Sequence, residues 1–161
     1  MAVDMFIKIG TLEGESTDKT HKGDIDVLAW SWGMSNSGSA GIGGGAGMGK
    51  ANVQDLSFTK YIDKSSTSLQ LACCKGTHYD KAVLVVRKAG DKPLEYLTIT
   101  MSEVIITAVS TGGSGGEDRL TENVSLNFAS VSVIYQEQQK DGTGKKAPEM
   151  NWSMAENAPP S

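Results

Sequence analysis

Most of the chain alternates apolar and polar residues with a period of two, which is the pattern of half-buried β-strands. The hydrophobic positions are separated by polar or glycine-containing stretches, notably 10–23 and 137–148, which predict loops. A Gly-Asp pair within 89–93 predicts a hairpin between its flanking strands. The pattern predicts strands over residues 2–9, 24–35, 51–62, 82–88, 94–101, 103–110 and 123–136, with a short closing strand at 150–154.

Residues 65–75 carry the one pattern that favours an α-helix. Ser65 or Ser66 can cap its start, and Gly76 stands where a left-handed residue ends a helix. Its apolar side is formed by Leu69, Leu71 and Ala72 together with Cys73 or Cys74. With 161 residues, we predict a single domain over 1–161, mainly β, a barrel or sandwich with the helix over one opening, and a frayed tail at about 155–161.

The strand predicted at 24–35 has two unequal faces. One face holds bulky apolar residues suited to a core, and the other is small and almost smooth, which suits close packing or the wall of a channel. The bulky face is Leu28, Trp30, Trp32 and Met34, and the small face is Val27, Ala29, Ser31 and Gly33.

The strand predicted at 123–136 changes its apolar parity partway along. Leu126 and Phe128 share one face, whereas Val131, Val133 and Tyr135 share the other. A β-bulge, or burial of the strand on both faces, explains such a change.

Composition excludes several classes of function. The net charge of −4, with no Lys/Arg-rich segment, argues against nucleic-acid binding. No apolar run approaches the roughly 18 residues that span a bilayer, so we expect no membrane insertion. The opening MAVDMFIKIG lacks the features of a secretory signal, so synthesis in the cytoplasm is expected. His21, His78 and the adjacent Cys73 and Cys74 do not make a ligand set, so no metal or cofactor is expected.

Two short motifs resemble a phosphate-binding loop and a hydrolase nucleophile elbow, but the residues and predicted strands around them argue against both activities. Gly44 to Lys50 fits a phosphate-binding loop, but Ala51 replaces the Ser or Thr that holds magnesium, and a strand is predicted next. Gly112, Ser114 and Gly116 fit the nucleophile elbow of hydrolases, but both histidines precede Ser114 and a strand follows it.

The acidic residues that follow this second motif have a simpler interpretation than catalysis. Glu117, Asp118 and Glu122 are interpreted as a solvated or interface charge cluster, with Arg119 as their partner. A hydrolase built on Ser114 and a monomeric ligand-binding barrel remain the alternative functions.

Three long runs and the opening residues resemble one family in the same order. The runs are HKGDIDVLAWSWGMSNS at 21–37, NVQDLSFTKYIDKS at 52–65 and STGGSGGEDRLTENVSLNFASVSVIY at 110–135, and the opening is MAVDMFIKI. They resemble the haemolysin-coregulated protein (Hcp) family, the secreted tube protein of type VI secretion systems. The resemblance extends from residue 1 to about Trp152.

The resemblance implies a β-barrel of two sheets with one flanking helix. It implies a homohexameric ring, with rings stacked into an inner tube that a contractile sheath on a baseplate encloses and a spike protein caps. Sheath contraction would expel the tube, which would carry small effector toxins in its lumen. The protein would thus leave the cell without a cleaved signal and reach the medium or a target cell.

The same resemblance implies three sets of site residues. Ser31 would face the lumen and bind effectors. The subunit interface would contain Ser114, Gly115, Gly116, Glu117, Asp118 and Arg119. The ring-stacking loop would contain Gly38, Gly41, Gly43, Gly44, Gly45, Gly47 and Gly49.

Overall fold

A computed structural model describes residues 2–38, 49–90 and 93–161 of the chain. These residues form eleven strands and one helix. In chain order they are β1 (Val3–Ile9), β2 (Ile25–Asp26), β3 (Ala29–Ser31), β4 (Met34–Asn36), β5 (Ala51–Val53), β6 (Leu56–Tyr61), α1 (Ser66–Lys75), β7 (His78–Lys88), β8 (Leu94–Thr111), β9 (Thr121–Gln138), β10 (Gly144–Lys146) and β11 (Met150–Ser153).

The main sheet has nine strands and closes on itself. Its order is β2-β1-β7-β8-β9-β6-β3, and β10 and β11 pair with the distal part of β9. The two ends of the sheet are consecutive in the chain: Val27 N donates to Met5 O at 3.0 Å, and Leu28 N donates to Thr59 O at 2.8 Å. β4 and β5 form a separate two-stranded ribbon. The predicted mainly β barrel with one flanking helix is therefore confirmed within the described residues.

The prediction of a single strand at 24–35 is wrong, because this segment contains β2, β3 and the start of β4. The chain bonds first to β1 through β2 and then to β6 through β3, so the alternation breaks where it changes partner. Val27 is consequently buried, and Leu28 is 39% exposed, the reverse of their predicted faces. Trp30 and Trp32 do pack against the core, whereas Met34 lies exposed on the ribbon.

The parity change predicted in β9 is present, and β8 shares it. In β8 the buried positions shift from Ile99 and Met101 to Val104 and Ile106, and in β9 they shift between Phe128 and Val131 at the same level. Glu103, with φ of 53°, marks the bend in β8. The strands predicted at 94–101 and 103–110 are one continuous strand, and the β8–β9 pair buries opposite faces on the two sides of this bend.

The helix matches its prediction closely. Gly76 ends it with φ of 66°, and Thr77 N donates to Ala72 O at 3.0 Å. Leu69 and Ala72 are buried, but Leu71 is 59% exposed, so its predicted place on the apolar side is wrong. Ser65 holds the N-cap position, but its side chain makes no hydrogen bond to the helix amides, because its hydroxyl donates to Asp63.

A fully buried ion pair crosses the β6–β9 ladder. Lys60 and Glu122 are directly paired and 0% exposed, with Nζ 2.5 Å from Oε1. Lys60 Nζ also lies 2.9 Å from Asp63 Oδ1. Ser66 Oγ donates to Glu122 Oε1 at 2.6 Å. Glu122 Oε2 has no hydrogen-bond partner among the described residues. The interpretation of Glu122 as part of a solvated cluster is therefore wrong: the residue shares the inward parity of Val124.

We predict that breaking this pair on one side costs much more than removing both charges. Lys60→Met should lower the free energy of unfolding by about 3–5 kcal/mol, since it leaves an unpaired buried carboxylate, and Lys60→Met with Glu122→Leu should recover most of the loss. Urea denaturation measures both. The control Lys64→Met removes an exposed pair with Glu13 and should change stability by at most about 1 kcal/mol. A double variant no more stable than the single one would contradict the prediction.

The long loop at 10–24 is fastened to the barrel by polar contacts. Arg87 donates to Asp18 Oδ1 at 2.6 Å and to Asp4 Oδ2 at 3.2 Å. His21 stacks on Phe6, with ring centroids 4.5 Å apart. Hydrogen bonds from Arg87 hold the pKa of Asp18 well below its ordinary value of 3.8.

The Arg87–Asp18 contact predicts an acid-dependent part of the stability. Because the pKa of Asp18 is lowered in the folded state, this stabilisation is complete above the unfolded pKa and is lost as pH falls through the folded pKa. The stability difference between wild type and Asp18→Asn should therefore be constant near neutral pH and shrink below about pH 4. Denaturation curves recorded from pH 7 to pH 2 give the free energy of unfolding of both proteins. A difference between the two proteins that stays constant over this range would refute the prediction.

Candidate assembly surfaces

Ser31 belongs to a face of short side chains on the outside of the barrel. Its backbone pairs with Ser57, which pairs with Ser125, which pairs with Ala108. A second row runs parallel to it through Ala29, Thr59, Asn123 and Ser110. We call these eight residues, on β3, β6, β9 and β8, the small-residue wall.

Hydrogen bonds between neighbouring strands hold the side chains of this wall in place. Ser57 Oγ lies 2.9 Å from Ser125 Oγ, and Thr59 Oγ1 donates to Asn123 Oδ1 at 2.6 Å. Ser31 is exposed and lines a shallow groove of about 180 Å³ on the wall. Of the four residues predicted on the smooth face, only Ala29 and Ser31 lie here. The wall is uncharged and has no side chain longer than that of Asn.

The six residues predicted at a subunit interface lie together in the loop 112–120 between β8 and β9, which we call the interface loop. Every residue of the loop is exposed. Glu117 N donates to Ser114 O at 3.2 Å, which forms a turn, and Ile62 N donates to Leu120 O at 2.9 Å, which ties the loop to the end of β6. Gly113 packs so closely on Leu120 that a Cβ atom would lie 2.6 Å from its Cδ2 atom. The loop therefore has a defined shape at the rim of the wall.

The predicted partner of the acidic residues in the interface loop is wrong. Arg119 does not pair with Glu117 or Asp118; its Cζ atom lies 3.8 Å from the centroid of the Tyr61 ring. The alternating parity of β6 turns Tyr61 outward, beside the buried Lys60, and that parity could have indicated a surface aromatic next to the loop.

The nucleophile-elbow motif and the phosphate-binding-loop motif both lack the structural context that their chemistry requires. The interface loop joins two strands, so Ser114 does not stand on a strand-to-helix turn. Both ring nitrogens of His21 contact carboxylates, Asp24 at 2.9 Å and Glu95 at 2.6 Å. Lys50 is followed by β5 and not by the helix that a phosphate-binding loop requires.

The predicted ring-stacking loop leaves the barrel through the β4–β5 ribbon. Gly38 is exposed, and Gly49 O accepts a bond from Asn36 Nδ2 at 2.9 Å. Trp32 Nε1 donates to Gln54 O at 2.9 Å and anchors the base of the ribbon. The other predicted glycines of this loop, Gly41, Gly43, Gly44, Gly45 and Gly47, lie outside the described residues.

Other kinds of site find little support. The described part of the chain contains no group of three or more His, Cys, Asp or Glu side chains placed to hold a metal ion. Cys73 and Cys74 are free thiols, and Cys74 is exposed. Across the same residues, no helix has the length and apolar character needed to span a membrane.

Comparison with known proteins defines the class to which this fold and these surfaces belong. Residues 6–135 match the family model described as type VI secretion system effector, Hcp. The chain therefore belongs to the Hcp family, and the resemblance seen in its sequence is confirmed.

Individual relatives agree with this assignment over nearly the whole chain. The protein hcp1 of Pseudomonas aeruginosa is 66% identical over 159 residues, which cover 98% of each chain. A solved type six secretion system protein superposes with a TM-score of 0.90 at 31% identity, covering 97% of this chain and 98% of that one. The crystal structure of Hcp1 from Salmonella typhimurium gives 0.79 at 37% identity, covering 99% of both chains.

Proposed function

We propose that this chain is the building unit of the inner tube of a type VI secretion system. Six copies close a ring, rings stack into a tube, and the tube is expelled by contraction of a sheath mounted on a baseplate, with a spike protein at its tip. The chain works as a single domain over residues 1–161. It is secreted by this machine.

The small-residue wall is the observation that carries the proposal. A surface that passes other proteins must be rigid and must not bind strongly at any one point. The wall meets both conditions, because its backbone lies in a hydrogen-bonded sheet and its eight side chains are short and uncharged. We assign it to the lumen of the ring, with Ser31 as the residue that contacts small effector toxins. Effectors held there gain stability by mass action.

The interface loop supplies one half of the contact between neighbouring subunits. Closure of a ring requires a heterologous interface, in which one patch of each subunit meets a different patch of the next. The loop is exposed throughout and lies beside the wall, sharing a groove with it through Ser110 and Asn123. This placement lets Ser114, Gly115, Gly116, Glu117, Asp118 and Arg119 meet a neighbour while the wall faces the axis.

The β4–β5 ribbon carries the contact between rings. It forms a two-stranded sheet separate from the main sheet. Between the ribbon and β11 lies a groove of about 270 Å³, lined mainly by Met34, Ala51, Val53, Met150 and Trp152. Stacking through such an arm is separate from ring closure, so one can be weakened without the other.

We predict that Ser114→Gln converts rings to monomers. Its side chain enlarges the exposed turn where the neighbouring subunit would pack, without touching the core. Native mass spectrometry of the purified protein should show hexamers for wild type and for the control Ser68→Gln, whose residue is exposed on α1. Full rings for Ser114→Gln would remove the loop from the interface, and a wild-type monomer would refute the tube itself.

We predict that Ser31→Gln separates transport from assembly. The longer side chain would stand above the small-residue wall and obstruct bound effectors, while the interface loop is untouched. Size-exclusion chromatography should show rings as in wild type, and co-purification of a lumen-bound effector should fall by roughly tenfold, the equivalent of one lost contact. Undiminished co-purification with intact rings would disprove the role of Ser31.

A further inference from the structure

The guanidinium of Arg119 lies over the Tyr61 ring at the outer surface. Its Cζ atom is 3.8 Å from the centroid of Tyr61, a distance typical of stacked guanidinium groups. The two residues lie in an open groove of about 400 Å³, to which Leu28 contributes an apolar side and Glu117 and Asp118 an acidic rim. This cation–π contact holds the guanidinium against the ring.

The barrel holds Tyr61 in place. Tyr61 pairs with Thr121 across the β6–β9 ladder, and the next pair along is Lys60 with Glu122. Successive residues of a strand point to opposite faces, so the fully buried ion pair lies on the inner face of the sheet, one residue along from the outward-facing Tyr61. The position of Tyr61 is therefore set by the ladder and the core, and not by the loop alone.

The donors of Arg119 have no partner within the described residues of its own chain. Its guanidinium forms none of the ion pairs found there. Asp26 is close enough for the positive charge of Arg119 to oppose, in small part, the rise that burial causes in the pKa of Asp26, but no hydrogen bond joins them. A planar guanidinium with free edge donors matches a carboxylate, which accepts two parallel hydrogen bonds.

We propose that Arg119 is the residue that selects the neighbouring subunit, by forked hydrogen bonds to one carboxylate on the facing surface of a second copy of this chain. The inference rests on the proposed ring and on the interface loop as its contact. The chain supplies acceptors in excess, with 19 Asp and Glu against 15 Lys and Arg. A carboxylate displaced from the fork would meet Glu117 or Asp118, so the acidic rim disfavours neighbouring registers.

The test separates the shape of the cation from its charge. Arg119→Lys keeps the charge but loses the planar fork and the stacking. The constant for dissociation of the ring into subunits should therefore rise roughly tenfold or more. Tyr61→Phe keeps the aromatic face under Arg119 and should leave the constant within about threefold. Analytical ultracentrifugation across protein concentrations measures both.

A second measurement and the Ser114→Gln variant make the outcome decisive. The wild-type ring should weaken as salt rises, and the Arg119→Lys ring should do so about as steeply, because lysine keeps the charge that salt screens. If wild type forms rings and Ser114→Gln does not, but Arg119→Lys assembles with the wild-type constant or the wild-type ring does not respond to salt, the selector role is overturned while the tube proposal stands. If wild type forms no ring, both are overturned. Near-UV circular dichroism of each variant confirms that the subunit is folded.

Discussion

Closure of the barrel by residues 25–31 is the constraint on which the other features depend. Two successive backbone amides, those of Val27 and Leu28, bond to strands on opposite sides of the closure, β1 and β6. The change of partner turns Ser31 outward, beside Ser57 of β6, and it directs the following residues into the separate β4–β5 ribbon. Closure also leaves β1, β6 and their neighbours without an open edge between them, and an open edge would invite uncontrolled pairing with other chains.

The buried Lys60–Glu122 pair has a different role from the apolar core around it. Burial of two charges costs free energy that their attraction does not always recover, so such a pair is weak evidence of stability as such. Its position is more informative. It fixes the β6–β9 register one residue from Tyr61 and Thr121, where the interface loop returns to the barrel.

The proposed tube depends on the arrangement of the contact surfaces of its subunit and requires no catalytic step. Its lining, its lateral contact and its stacking arm lie on separate elements: the small-residue wall, the interface loop and the β4–β5 ribbon. Because these contacts lie on separate elements, the lateral contact within a ring and the stacking contact between rings can differ in strength. A ring can then be stable while stacking of rings remains reversible. Avidity explains how modest contacts suffice, because each subunit of a closed ring is held at two sides.

Local pattern alone determined most strands away from the closure, the helix that ends at Gly76, and the exposed glycine-rich loop at 112–116, because each follows from spacing or from the backbone freedom of glycine. The single strand predicted at 51–62 is wrong, because the structure divides it between β5 of the ribbon and β6 of the main sheet. Only the tertiary structure decided the break at Val27, the burial of Glu122 and the stacking of Arg119 on Tyr61. Glu122 contacts a lysine 62 positions away, and Arg119 stacks on a ring from another strand. Hydrophobic periodicity records which face of a strand is buried, but it carries no information about which distant side chain that face will meet.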